Sequence, residues 1–131
     1  MESYTWYATL IKPTWAPQAW IFGPVWSVLY IIIALSFGYV FIQFWQGQLP
    51  FLVVLPFALN LLFNFAFTPL QFVLQSNFLA ASDILLVLST LMWALWVIYP
   101  FAPMVTFVNL PYLAWVSFAT FLQLTITYLN W

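Results

Sequence analysis

One basic and two acidic side chains, Lys12, Glu2 and Asp83, are all the charge in 131 residues. Between them run apolar stretches longer than the roughly 20 residues a helix needs to cross a ~30 Å hydrocarbon core. A chain this poor in charge cannot coat a globule in water, and 67% of its residues are hydrophobic. None of the runs alternates as a transmembrane barrel strand does. The fold class that follows is all-α, an integral membrane helical bundle that crosses the bilayer several times.

The interruptions divide the chain into four transmembrane helices within a single membrane domain, 1–131, behind an N-terminal Trp/Pro-rich loop, 1–19. The spans are predicted over about 20–44, 49–72, 78–99 and 104–128. Trp45-Gln46-Gly47-Gln48 forms the first turn, and Pro50 suits the opening of the second helix. Ser76 or Asn77 is an N-cap for the third, and Pro100 and Pro103 break the chain before the fourth. Short connections make consecutive helices antiparallel neighbours. A single Lys cannot sign the orientation by the positive-inside rule. No basic n-region or small-residue cleavage site stands near Met1, so no cleavable leader is expected.

Several chemistries drop out. Without His or Cys there is no metal site, disulfide or thiol nucleophile. No second acid stands near Asp83 for general acid/base work, and a chain with a single base does not bind nucleic acid. What remains is an aromatic, weakly polar interior suited to flat apolar ligands with a few polar edges.

The polar residues within the spans narrow this further, because a polar group in lipid must find a partner. Asn60, Asn64, Thr68 and Gln71 fall along one helix face, flanked by Pro56 and Pro69; helix-to-helix hydrogen bonding and ligand contact account for them equally well. Tyr112, Trp115, Ala119 and Gln123 share a face in the fourth span, as Phe22, Trp26, Tyr30 and Phe37 do in the first. Trp6, Trp15, Trp45 and Trp131 suit interfacial belts, whereas Trp26, Trp93 and Trp115 lie deeper. Asp83, early in the third helix, is favoured there by the helix dipole, with Thr90 and Trp93 roughly on its face.

The stretch from Trp6 to Tyr30 holds four of the nine Trp and three of the nine Pro. Its pattern Trp6-Tyr7-x-x-Leu10-x-Lys12-Pro13-x-Trp15-x-Pro17, then Trp20-x-Phe22-Gly23-Pro24-Val25-Trp26-x-x-Leu29-Tyr30, resembles the first loop and second helix of the TspO/MBR family. These are the tryptophan-rich sensory proteins related to the mitochondrial translocator protein, or peripheral benzodiazepine receptor. Asn60-x-x-x-Asn64-x-x-Phe67-Thr68-Pro69-Leu70-x-Phe72 is similar to the family's third helix, with Phe67 where Trp is usual and Asn60 where Gln is common. Asp83-Ile84-Leu85-Leu86 resembles its fourth, and Pro111-Tyr112-Leu113-x-Trp115-Val116-Ser117-Phe118-Ala119-Thr120 with Leu129-Asn130 its fifth.

The resemblance implies a membrane receptor, sensor or carrier that needs no obligatory cofactor and binds porphyrin or a haem-related tetrapyrrole under a cap formed by the first loop. Trp26 and Trp115 would flank the ligand, Asn60 and Asn64 would offer polar contacts, and Tyr7, Lys12 and Trp15 would belong to the cap. Phe22, Tyr30, Asp83, Trp93, Tyr112 and Ala119 complete the expected lining. The lipid bilayer is the surroundings, and a homodimer is the expected assembly. Light-dependent porphyrin breakdown through Trp26 and Trp115 is the enzymatic alternative, and a pocketless interaction protein is the structural one.

Three departures accompany the resemblance. The family has five helices, and only five residues precede Trp6 here. The first helix is therefore expected to be missing, with a lipid-facing gap along one wall and both termini on one side of the membrane. Pro17-Gln18 replaces the usual proline pair of the loop, and the terminal sterol motif fails because Tyr128 is followed only by Leu129, Asn130 and Trp131.

Overall fold

In the computed structural model residues 10–16, 19–68, 70 and 74–130 are described, without the side chains of Ala19, Trp20, Phe22 and Thr68. Helix α1 spans Ala19–Trp45, α2 Phe51–Thr68, α3 Asn77–Ile98, α4 Pro103–Val108 and α5 Leu110–Leu129. Tyr7, Pro17, Gln18, Pro69 and Gln71 fall outside the described residues.

Local chemistry explains the ends. The first turn closes in a Schellman arrangement: Gly47 N donates to Phe44 O at 2.9 Å and Gln48 N to Gln43 O at 2.8 Å. Gly47 sits at φ 78°, a conformation that side chains resist. Ser76 is the N-cap of α3, and its hydroxyl accepts from Leu79 N at 3.1 Å.

The helix expected over 104–128 is divided. Asn109, at φ −94° and ψ 3°, separates α4 from α5. Pro111 supplies the reason, since a proline cannot donate to the carbonyl four residues back and its ring crowds that turn, whereas near a helix start its missing N–H is harmless. The signal Asn109-Leu110-Pro111 was present in the sequence as a cap followed by a proline.

Among the described residues three helices are long and apolar enough to cross a membrane, within Gly23–Trp45, Asn77–Ile98 and Leu110–Leu129, and Phe51–Phe67 is a shorter apolar helix. The 18 residues of α2 rise about 27 Å, a little less than a typical hydrocarbon core. Outward-facing positions are large and apolar, among them Ile31 and Leu35 on α1, Leu62 and Phe65 on α2, Met92 and Trp96 on α3, and Phe121 and Leu124 on α5. In lipid such a surface is solvated, and only the polar groups need inward partners. The protein is an integral, multi-pass membrane protein.

The core runs down the axis. Phe37 of α1 meets Phe57 of α2 edge to face at 4.8 Å, both fully buried, with Val40, Val54, Val87, Leu91 and Val116 around them. Helix α3 packs most closely with α2 and α5, and α1 lies more loosely against both α2 and α5. That looseness leaves room beside α1.

Candidate functional site

A chain of hydrogen bonds ties four helices together at mid-bundle. Tyr30 donates to Asn64 Oδ1 across 3.5 Å, and Asn64 Nδ2 donates to the Tyr112 hydroxyl at 2.6 Å. The Tyr112 hydroxyl donates to Asn60 Oδ1 at 2.9 Å, and Asn60 Nδ2 donates to Val87 O at 2.9 Å and Thr90 Oγ1 at 3.3 Å. Asn60, Asn64, Thr90 and Tyr112 are buried. Each hydroxyl and amide passes its donor on to the next acceptor, so the bonds polarise one another in a medium of low dielectric. Asn60 and Asn64 of α2 thus face α3 and α5 from within and join helices in the present geometry.

The open space lies elsewhere, between α1 and α5. A cleft of about 680 Å³ is lined by Pro24, Val25, Val28 and Leu29 of α1 and Pro111, Ala114, Trp115 and Phe118 of α5. Its volume falls within the roughly 300–1,000 Å³ of small-molecule sites, and its wall is almost wholly apolar. Neither Pro24 nor Pro111 carries a backbone donor.

The loop before α1 is docked on the same helix. Trp15 packs against Phe118 at 5.8 Å, edge on, and against Phe121 at 5.5 Å. Phe118 in turn meets Trp115 at 5.6 Å, so a ladder Trp15–Phe118–Trp115 runs from the loop to the cleft wall. Leu10 and Ala16 pack on Leu122 and Ile126. The Asn130 amide holds the start of the loop, accepting from Ile11 N at 3.0 Å and donating to Ile11 O at 2.8 Å. Lys12, half-buried, donates through Nζ to Leu10 O at 3.1 Å.

The expected residues separate into groups. Trp115 lines the cleft, and Trp15 and Lys12 belong to the docked loop. Trp26 is partly buried against the core and stacks on Tyr30 at 5.4 Å, outside the cleft lining. Tyr112, Asn60 and Asn64 belong to the axial network, and Ala119 is half-buried on α5. The Phe22 side chain and Tyr7 lie outside the described residues.

Two expectations need correcting. Trp93 does not share the face of Asp83: it is 41% exposed on the outer side of α3, because ten residues at 100° each carry it well off that face. Asp83 is the seventh residue of α3, beyond the first turn to which the dipole's influence is confined. Its carboxyl is buried, and Oδ2 has no hydrogen-bond partner among the described residues. Among those residues no group of three His, Cys, Asp or Glu side chains could hold a metal.

Sequence reasoning also passed over three residues. Phe118 connects loop and cleft, and its place three residues after Trp115 put it on the same face. Asn130 ties the loop down, and Asn109 divides α4 from α5; nothing local distinguishes a long-range partner of the former.

The model of the TspO/MBR family matches residues 1–129. The chain belongs to the TspO/MBR family. It is 36% identical over 126 residues to the tryptophan-rich protein TspO of Bacillus cereus, an alignment covering 96% of this chain and 81% of that protein. Against the tryptophan-rich protein TspO of Chlorobaculum tepidum the identity is 32% over 124 residues, 95% of this chain and 78% of the relative. The translocator protein of Homo sapiens is 33% identical over 133 residues, covering 99% and 75%. In this TspO/MBR protein Trp115 lies in the cleft between α1 and α5 and Trp15 of the loop packs on Phe118.

Proposed function

We propose that this TspO/MBR protein is a membrane receptor, sensor or carrier that binds porphyrins and related flat apolar tetrapyrroles in the cleft between α1 and α5. The observation that carries this reading is the ladder from Trp15 through Phe118 to Trp115, which couples the docked loop to the cleft wall. An aromatic wall offers a macrocycle a π-face to stack on, and the apolar residues opposite cover its other side. Lys12, the chain's only basic side chain, lies in the docked loop and would be the partner for an anionic edge of the ligand. On this reading Asn60, Asn64 and Tyr112 hold the helices that frame the cleft and need not touch the ligand.

Titrating purified protein with protoporphyrin and following tryptophan emission tests it. Quenching should saturate, and Trp115→Phe should weaken it. Unchanged emission at micromolar porphyrin would count against the reading.

The indole of Trp115 on the cleft wall also suits a second reading, light-dependent breakdown of bound porphyrin with Trp26 as the further participant. Illumination should then consume porphyrin in the wild type and spare it in a Trp26→Phe, Trp115→Phe double variant. Equal loss in both would exclude it.

A further inference from the structure

A second cleft, of about 840 Å³, opens between the later half of α1 and the α3–α4 connection with α4, apart from the residues that line the Trp115 cleft. Leu35, Phe101, Met104 and Phe107 supply its apolar wall, and Ser36 and Tyr39 supply hydroxyls one turn apart on α1. Ser36 is nine residues from the end of α1, about 13 Å along the axis, so its hydroxyl stands at hydrocarbon depth.

Ser36 does not stand alone. Asn109, fully buried at the α4–α5 break, donates through Nδ2 to Ser36 Oγ at 2.9 Å and to Val105 O at 2.8 Å. Ser36 Oγ donates in turn to Ile32 O at 2.6 Å. A hydroxyl oxygen has two lone pairs, and Asn109 occupies one, so the second remains for another donor. Asn109 Oδ1 has no hydrogen-bond partner among the described residues, so the amide is spent on its nitrogen side, holding Ser36 and Val105. A hydroxyl brought in from the bilayer is short of partners at this depth, and the remaining lone pair of Ser36 Oγ offers one.

We propose that this second cleft binds a long-chain amphiphile bearing a single hydroxyl, which enters sideways from the bilayer and donates to Ser36 Oγ. The apolar body lies along Leu35, Phe101, Met104 and Phe107, and the Tyr39 hydroxyl donates to the ligand oxygen from one turn nearer the membrane surface. Asn109 is a positioning residue, fixing Ser36 without touching the ligand. The proposal is independent of tetrapyrrole binding in the other cleft.

The test uses the full chain in phosphatidylcholine vesicles and hexadecanol carrying a diazirine midway along its chain. Illumination and peptide mass spectrometry should map adducts to residues 35–39 and 101–107. At equal mole fraction in the membrane, unlabelled hexadecanol should compete roughly tenfold better than its methyl ether, which keeps the acceptor and lacks the donor. Ser36→Ala should erase that preference while Asn109 keeps its bond to Val105 O. Leu35→Trp fills the cleft from its exposed rim with the polar pair intact, and should cut labelling there several-fold while leaving protoporphyrin quenching unchanged. Equal competition by alcohol and ether, a preference that survives Ser36→Ala, or adducts spread evenly over all lipid-facing helices would overturn the proposal.

Discussion

The side-chain amide of Asn130 completes both backbone hydrogen bonds of Ile11, accepting from its N–H at 3.0 Å and donating to its carbonyl at 2.8 Å, across 119 residues of sequence. One amide thereby pairs with the loop as a neighbouring strand would, and it also bonds Ile126 O at 2.8 Å, which anchors it to the last turn of α5. The described part of the N-terminal loop is consequently pinned to α5 at Ile11 by Asn130 and farther along by Trp15.

Replacing that amide should release the start of the loop. In Asn130→Ala, hydrogen exchange at the Ile11 amide should rise about fivefold, the equivalent of about 1 kcal/mol for a partly solvated pair of bonds. Exchange at the wild-type rate would mean that Trp15 alone holds the loop.

Tyr112→Phe removes the hydroxyl that serves both Asn60 and Asn64, leaving two buried amides each short of a partner. Membrane hydrogen bonds average about 0.6 kcal/mol and reach about 1.7, so a loss of about 1–2 kcal/mol is expected in detergent unfolding. Adding Asn60→Leu should cost less than it does alone, because its oxygen has already lost the donor. Strict additivity in this cycle would argue that the network is not coupled.

Phe118→Ala should act on loop and cleft together. It deletes the ring contacts to Trp15 and Trp115, each worth about 0.5–1.5 kcal/mol, so protoporphyrin should bind several-fold more weakly and Trp15 emission should shift to the red. If porphyrin affinity falls with no change at Trp15, the cleft binds without the loop.

Asp83→Asn keeps the shape of a buried carboxyl whose Oδ2 lacks a partner and removes the ability to carry charge there. The variant should melt at the same temperature as the wild type or a few degrees higher, since an uncompensated buried acid is the costlier group. A marked drop in melting temperature would point to a cation or polar ligand held by Asp83.

Much of this was legible in the residues. The apolar runs and their breaks predicted α1, α2 and α3 to within a few residues, and Ser76 was identified as a cap because its chemistry is local. The α4–α5 break was hidden inside an unbroken apolar run, although Asn109 and Pro111 marked it. Among the site residues, Trp115 lines the cleft between α1 and α5 and Trp15 packs on Phe118, while Trp93 turns outward. Helical periodicity places residues on a face and is silent about which neighbour that face meets. In lipid, where outward positions are as apolar as inward ones, composition offers little to tell them apart.

The sequence by itself determined the solvent, the fold class and the family, because scarcity of charge, run length and ordered motifs are properties of the linear chain. Only the tertiary structure decided that Asn60, Asn64 and Tyr112 spend their hydrogen bonds on one another, and that Ile11 meets Asn130. It also set the two clefts on opposite stretches of α1. The reason is physical. A polar group in hydrocarbon must be satisfied within the bundle, and which partner satisfies it depends on how helices distant in sequence come to lie side by side.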